Sequence, residues 1–313
     1  MTDEPKMAIG VDLGGTAIKA ALVRENGEIV AQDTGPTEAQ SGEHEVAGRI
    51  SDLVDRILSA NQLTKEAISG IGIGVPGVTT AEGVVIIAPN LYWHHVPFRQ
   101  ILQDRVNVRV EIDNDANVAA LAETRAGVGA GCDTLFFMTL GTGIGGGLIV
   151  NGKIHHGASH SAGEIGHMCV LPEGPTCACG KPGCLETLAA GPAMARYVRV
   201  ALSEGRSCAL QDPLEITPEA ICRSAEAGDE VCRESVKRSA HYLGIAAANI
   251  INVISPDVIA IGGGISAAGE TILDPIVESA RNYSLEGMFE HTRIVLATLG
   301  NNAGSLGAAF LVL

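Results

Sequence analysis

The chain has 313 residues, 46% of them hydrophobic but only 3% aromatic, with a mean hydropathy of +0.23. That is enough chain for two domains of ordinary size and a sizeable core. A net charge of −15 and a pI near 5.0 argue against a nucleic-acid or anionic-membrane surface, so an anionic substrate has to be held by local devices such as loop amides and a divalent cation.

The opening MTDEPKMAIG lacks a basic region followed by an apolar core, so no signal peptide is expected. MAIGVDLGGTAIKAALVRENGEIVAQ then reads as strand, glycine turn, strand, hairpin at Asn26-Gly27 and a third strand. Asp12 ends the first strand beside Gly14-Gly15-Thr16. Glycine there lets backbone N–H groups approach a phosphate, Thr16 adds a hydroxyl, and the neighbouring carboxylate can hold Mg²⁺ through water. Such turns are common between strands, so the motif is weak alone.

Glu43 to Leu63 sets Val46, Ile50, Leu53, Val54, Ile57 and Leu58 on one helical face. Ile68 to Val75 is an apolar strand closing at Pro76-Gly77. A loop with Asn90, Tyr92 and Trp93, the only tryptophan, follows; an aromatic beside an Asn suits sugar stacking or serves as a packing anchor. Val108 to Ile112 is a short strand leading into Asp113-Asn114-Asp115 and the helix ANVAALAETRAG. A strand end that becomes a helix start is where ligands sit in α/β sheets, although Asn and Asp are also good caps. One residue suffices for capping, so Asp115 is assigned a functional role and Asn114 that of a hydroxyl ligand.

Leu135 to Gly157 repeats the opening layout, strand, Gly-Thr-Gly turn, strand and Asn-Gly hairpin: compare VDLGGTAIKAALVRENGEIV with MTLGTGIGGGLIVNGKI. Two such units imply two similar lobes with a cleft between them. The α/β lobes are expected at 1–112, completed by a C-terminal helix at 302–313, and at 113–301.

Ser159 to Glu186, SHSAGEIGHMCVLPEGPTCACGKPGCLE, is the chemically densest stretch. Cys177, Cys179 and Cys184 converge across a Gly-Lys-Pro-Gly turn, and His167 supplies a fourth ligand for a tetrahedral, structural Zn²⁺. The ion would hold Glu164 and Glu186 in place. Buried free cysteines beside an incidental histidine are the alternative. Cys132, Cys169, Cys208, Cys222 and Cys232 are scattered, which fits a reducing, cytoplasmic location better than a disulfide framework.

Beyond it the chain reads as mainly helical: one helix from Thr187 to Glu204, another opened by Thr217-Pro218, and a long one from Asp229 to Ile254. Leu243 to Ile265 is the most apolar run, but Pro256, Asp257 and Gly262-Gly263-Gly264 make it a buried helix followed by a buried strand, not a membrane span. The three glycines allow a flat group such as a nucleotide base to approach. A strand from Arg293 to Ala297 precedes a short C-terminal helix.

Together VDLGGT, GVPG, DNDANVAALAE, LGTGIGGG, GEIGH, CACGKPGCLE and the late GGG resemble the ROK family of sugar kinases and sugar-responsive repressors, from Ile9 to the C-terminus. The resemblance implies a two-lobed actin-like ATPase fold of the hexokinase and Hsp70 type. It implies that Gly77, Asn90, Asn114, Asp115, Glu164, His167 and Glu186 bind sugar, with Asp115 the catalytic base and His167 shared between zinc and sugar. Asp12, Gly14, Gly15, Thr16, Lys19, Gly141, Thr142 and Gly143 would surround the phosphates of ATP, and Gly263 and Gly264 the adenosine. The expected activity is ATP-dependent phosphorylation of a hexose, foremost glucose, because NLYWHHVP resembles the bacterial glucokinase branch. Polyphosphate-using relatives generally lack the cysteine segment, which favours ATP as donor. A homodimer or homotetramer is implied. The repressors carry an added N-terminal helix-turn-helix, for which the start of the first strand near Met7 leaves no room, so neither nucleic acid nor membrane is an expected partner.

Overall fold

Three antiparallel strands, β1 (Met7–Leu13), β2 (Ala17–Arg24) and β3 (Ile29–Pro36), open a computed structural model that describes residues 6–313. β4 (Ile71–Val75) pairs parallel to β1, and β8 (Val110–Asn114) parallel to β4, giving the order β3-β2-β1-β4-β8. The alternation expected of strands sends Ile9, Val11 and Leu13 to one face, where α1 (Glu43–Ala60) and α2 (Phe98–Val106) bury Val46, Ile50, Leu53, Phe98 and Leu102 against them. Each such aliphatic side chain contributes about 2 kcal/mol relative to exposure.

The other face is lined by small residues. Gly10 and Gly72 lie against the backbone of α10 (Ala303–Ala309), and a Cβ at Gly72 would strike the Ala308 carbonyl. The last helix can therefore touch the sheet only because glycine stands there. It also packs on α3 (Asp115–Ala126), where Glu123 accepts the Leu299 N–H at 2.9 Å. A three-stranded sheet of β5 (Val78–Thr79), β6 (Val85–Ala88) and β7 (Trp93–Val96) completes this unit.

The second five-stranded sheet is ordered β11-β10-β9-β12-β13, from β9 (Thr134–Leu140), β10 (Ile144–Val150), β11 (Lys153–Ile154), β12 (Val258–Gly262) and β13 (Arg293–Leu296). β12 runs parallel to both β9 and β13. Third, second, first, fourth, fifth is the strand order in both sheets, so the repeat read in the sequence is a repeat of topology. The helices here are α4 (Leu185–Ala189), α5 (Gly191–Ser203), α6 (Pro218–Glu226), α7 (Glu230–Ile254), α8 (Glu270–Tyr283) and α9 (Glu286–Phe289). The chain divides into two compact units: the described residues through Gly131 with Gly147–Ala162 and Leu299–Leu313, and Cys132–Gly146 with Gly163–Thr298.

Several local expectations change. The single helix expected over Thr187–Glu204 is two, because Ala190 is extended and Gly191-Pro192 begins a new helix. Trp93 is in β7 rather than a loop, buried at a ring distance of 4.5 Å from Phe98; it is a packing anchor, whereas Tyr92 beside it is exposed. The sequence reading passed over α2, α8 and the small sheet. Pro275 inside α8 masks its periodicity, and strands of two to four residues carry too little alternation to register. No helix among the described residues is long and apolar enough to cross a membrane.

Candidate functional site

In the first unit Gly77, Asn114 and Asp115 meet where β8 becomes α3, whereas Asn90 stands against Gly15. Asn114 is the N-cap: its Oδ1 accepts from the N–H of Ala116 at 2.9 Å and of Asn117 at 3.3 Å. Its Nδ2 donates to the Gly77 carbonyl at 3.0 Å, so Gly77 and Asn114 meet directly. Asp115 follows in the first turn, half-buried, with Oδ1 accepting the Ala116 N–H at 2.9 Å. Asp113, almost fully buried, accepts from the Asn114 N–H at 2.7 Å, from Asn117 Nδ2 at 2.9 Å and from His156 Nε2 at 2.6 Å. Capping thus uses most of the Asn114 side chain.

The first glycine turn stands at the end of β1. Thr37 braces it, donating its hydroxyl to the Gly14 carbonyl at 2.6 Å and its N–H to the Thr16 carbonyl at 3.0 Å. Gly15 faces Asn90, whose backbone carbonyl would lie 3.1 Å from a Cβ there. Asp12 and Lys19 are register partners across β1 and β2. Burial pushes the Asp12 carboxyl above its usual range, with Lys19 opposing.

In the second unit, the Gly141 N–H donates to the Gly143 carbonyl at 3.0 Å, and the Gly141 carbonyl accepts from Gly191, the first residue of α5, at 2.9 Å. Glu186 Oε2 accepts the Ile144 N–H at 3.0 Å, which brings that carboxylate against the same turn. Gly141, Thr142 and Gly264 line one cavity of about 510 Å³. Its remaining wall includes Pro192, Arg199, Ile216, Pro218 and Ile265. These were missed in the sequence, where they carry no motif beyond a helix start at Thr217-Pro218. Gly263 takes φ 86° and packs against the Leu140 backbone rather than lining this cavity.

His167, Cys177, Cys179 and Cys184 present ligand atoms that all lie within 4.8 Å of one another. Cys177 Sγ is 3.7 Å from His167 Nδ1, and Cys179 Sγ is 3.6 Å from Cys184 Sγ. Zn–S bonds of about 2.3 Å at tetrahedral angles set sulfurs about 3.8 Å apart, so the four fit that ion. Burial, then the neighbouring sulfurs, push the Cys184 thiol up to about 12. Protein alone keeps it protonated, whereas a divalent cation favours the thiolate. The turn depends on Gly183 at φ 68°, whose Cβ would strike the Leu171 carbonyl. Cys184 is the N-cap of α4, with Glu186 in the first turn; Glu164 opens the 3₁₀ turn that ends in His167. Two ligands of the cluster therefore sit one turn or less from the two glutamates. Cys208, Asp229 and Cys232 form a second grouping, in which Asp229 caps α7 through the Cys232 N–H at 2.9 Å.

Two sheets of one strand order, each opening with a strand, a glycine turn and a hairpin, define the two-lobed α/β class of the actin-like ATPases. Within that class the chain belongs to the ROK family, whose sequence model matches residues 8–313. It is 40% identical over 310 residues to a glucokinase of Halalkalibacterium halodurans, covering 97% of this chain and 94% of that one. It is 33% identical to a xylose repressor of Caldicellulosiruptor bescii, covering 97% of this chain and 77% of the repressor. A ROK family glucokinase from Streptomyces griseus, solved with glucose and AMPPNP, superposes with a TM-score of 0.82 at 34% identity, covering 97% and 98% of the two chains.

Proposed function

We propose that this protein is an ATP-dependent hexose kinase that phosphorylates the 6-hydroxyl of D-glucose. The observation that carries the reading is the β8–α3 junction, where Asp115 stands in a first turn capped by Asn114, with Asp113 holding Asn114 before it and Asn117 after it. The glucokinases among its relatives support the choice of reaction.

In this reading Asp115 accepts the proton of the sugar hydroxyl as its oxygen bonds to the γ-phosphorus and the bond to ADP breaks. A carboxylate at a helix N-terminus is a weak base. That suffices in a loose transition state, where proton transfer comes late and orientation counts for more. The residues this reading assigns to sugar are Gly77, Asn90, Asn114, Glu164, His167 and Glu186. Asp12, Lys19 and the turns Gly14-Gly15-Thr16 and Gly141-Thr142-Gly143 bind the phosphates with Mg²⁺, which supplies charge neutralisation. Gly264, on the cavity wall, faces the adenosine, and Gly263, packed on the Leu140 backbone, holds the turn that presents it. Zn²⁺ on His167, Cys177, Cys179 and Cys184 is structural, holding the turns of Glu164 and Glu186.

A coupled assay with ATP and a panel of glucose, mannose, fructose, allose, N-acetylglucosamine and N-acetylmannosamine tests both reaction and preference. Turnover highest on glucose is expected; a different best sugar corrects the substrate alone. The likeness to a xylose repressor supports a second reading as a sugar sensor. Sequence-specific DNA binding without turnover would establish it. The kinase is expected to be cytoplasmic and a homodimer or homotetramer, which light scattering checks.

A further inference from the structure

We propose that the Asp113–His156 pair is the positioning device for Asp115, acting through the first turn of α3. The idea rests on the kinase reading for its effect on turnover, but its geometry stands apart from that reading.

Asp113 is the last residue but one of β8 and only 3% exposed. Its Oδ1 accepts two donors that bracket Asp115: the Asn114 N–H before it and Asn117 Nδ2 after it. Its Oδ2 is taken by His156 Nε2 at 2.6 Å, from the loop that follows β11. A buried carboxylate left with one oxygen unmatched swings or protonates, and either change loosens the turn. His156 therefore does more than fill space. It completes the coordination of Asp113 and fixes the plane from which both bracketing donors are held.

The imidazole is itself held. His160 stacks on it with centroids 4.0 Å apart and an interplanar angle of 18°. His160 takes φ 58°, a left-handed conformation costly for a residue with a Cβ, and its Nδ1 is buried without a hydrogen-bond partner. Two local penalties at one residue mark a loop shaped by the stack rather than by its own preference. The titratable groups facing His156 are Asp113 from β8 and His160 from its own loop; Glu82 lies near enough to feel both His160 and Arg99. Donation to Asp113, the largest cause, raises the His156 pKa against burial.

His156→Ala and His156→Gln, which keeps a donor near the Nε2 position, test the idea by hydrogen exchange and kinetics. In the alanine variant the Ala116 and Asn117 amides are expected to lose at least tenfold in protection, and kcat to fall tenfold or more at unchanged KM for ATP. Glutamine should restore most of both. By NMR the His156 pKa should fall in Asp113→Asn, because burial, which lowers it, is then left unopposed by the carboxylate. Wild-type exchange and kcat in His156→Ala would overturn the proposal, as would equal loss in Ala and Gln with protection lowered across the whole first sheet. If the wild type phosphorylates no hexose, the kinase reading fails while the exchange result still decides the pair.

Discussion

Asp115 and Asn114 are neighbours to which the kinase reading gives different duties, and the difference is testable. Asp115→Asn keeps the first turn of α3, so fold and sugar affinity should survive while kcat drops by about 10²–10⁴, the range for loss of a general base. Near-normal turnover in an enzymatic assay would remove Asp115 from that role. Asn114→Ala instead removes the cap and leaves the Gly77 carbonyl without its donor. It should lower stability by about 1–2 kcal/mol in urea unfolding, with Asn114→Asp recovering the cap but not the bond to Gly77. His156 gives a pH dependence with a definite sign. Its pKa is raised on folding, so the pair's contribution is complete below the ordinary imidazole value of 6.5 and is lost as pH rises through the folded value. The stability gap between wild type and His156→Gln should therefore narrow as pH rises above the ordinary imidazole value in denaturant titrations.

At the level of elements, the decisive arrangement is the pairing of the 3₁₀ turn after Glu164 with the start of α4. Cys184 caps α4, and Leu185 donates to the Met168 carbonyl at 2.9 Å, so the two turns are already joined by backbone. A zinc ion on His167, Cys177, Cys179 and Cys184 would cross-link them a second time. Cys177→Ser should release zinc, measured by elemental analysis, and lower the melting temperature and glucose affinity together, because structural zinc binding energy is largely folding energy. Loss of metal with unchanged sugar affinity would separate the cluster from the glutamates. The zinc segment was legible in sequence because its ligands lie within eighteen residues and are separated by turn-formers. The break at Ala190 was not, since Leu185 to Ser203 carries one apolar pattern and only the bond from Gly191 to Gly141 shows where the second helix begins.

For the whole molecule, α10 closes the first unit from the far end of the chain. Its small residues meet Gly10 and Gly72 of the sheet and pack on α3, so a side chain at either glycine forces helix and sheet apart. Gly72→Val should cost about 1–3 kcal/mol or more, the range for overpacking a core, and reduce the cooperativity of unfolding followed by circular dichroism. Nothing around Gly72 in the sequence signals this, because the Ala308 carbonyl that excludes a Cβ is more than two hundred residues away.

The amino-acid sequence by itself determined the two strand–turn–strand–hairpin repeats, the main amphipathic helices and the cysteine cluster, because each is written in local periodicity or close spacing. Only the tertiary structure decided that Trp93 is a packing anchor, that Thr142 and Gly264 share one cavity, and that His156 completes Asp113. Those facts depend on contacts between segments forty or more residues apart, or, for Trp93, on a strand too short to announce itself. Local pattern fixes which element a residue joins; long-range packing fixes what that residue touches, and chemistry follows the second.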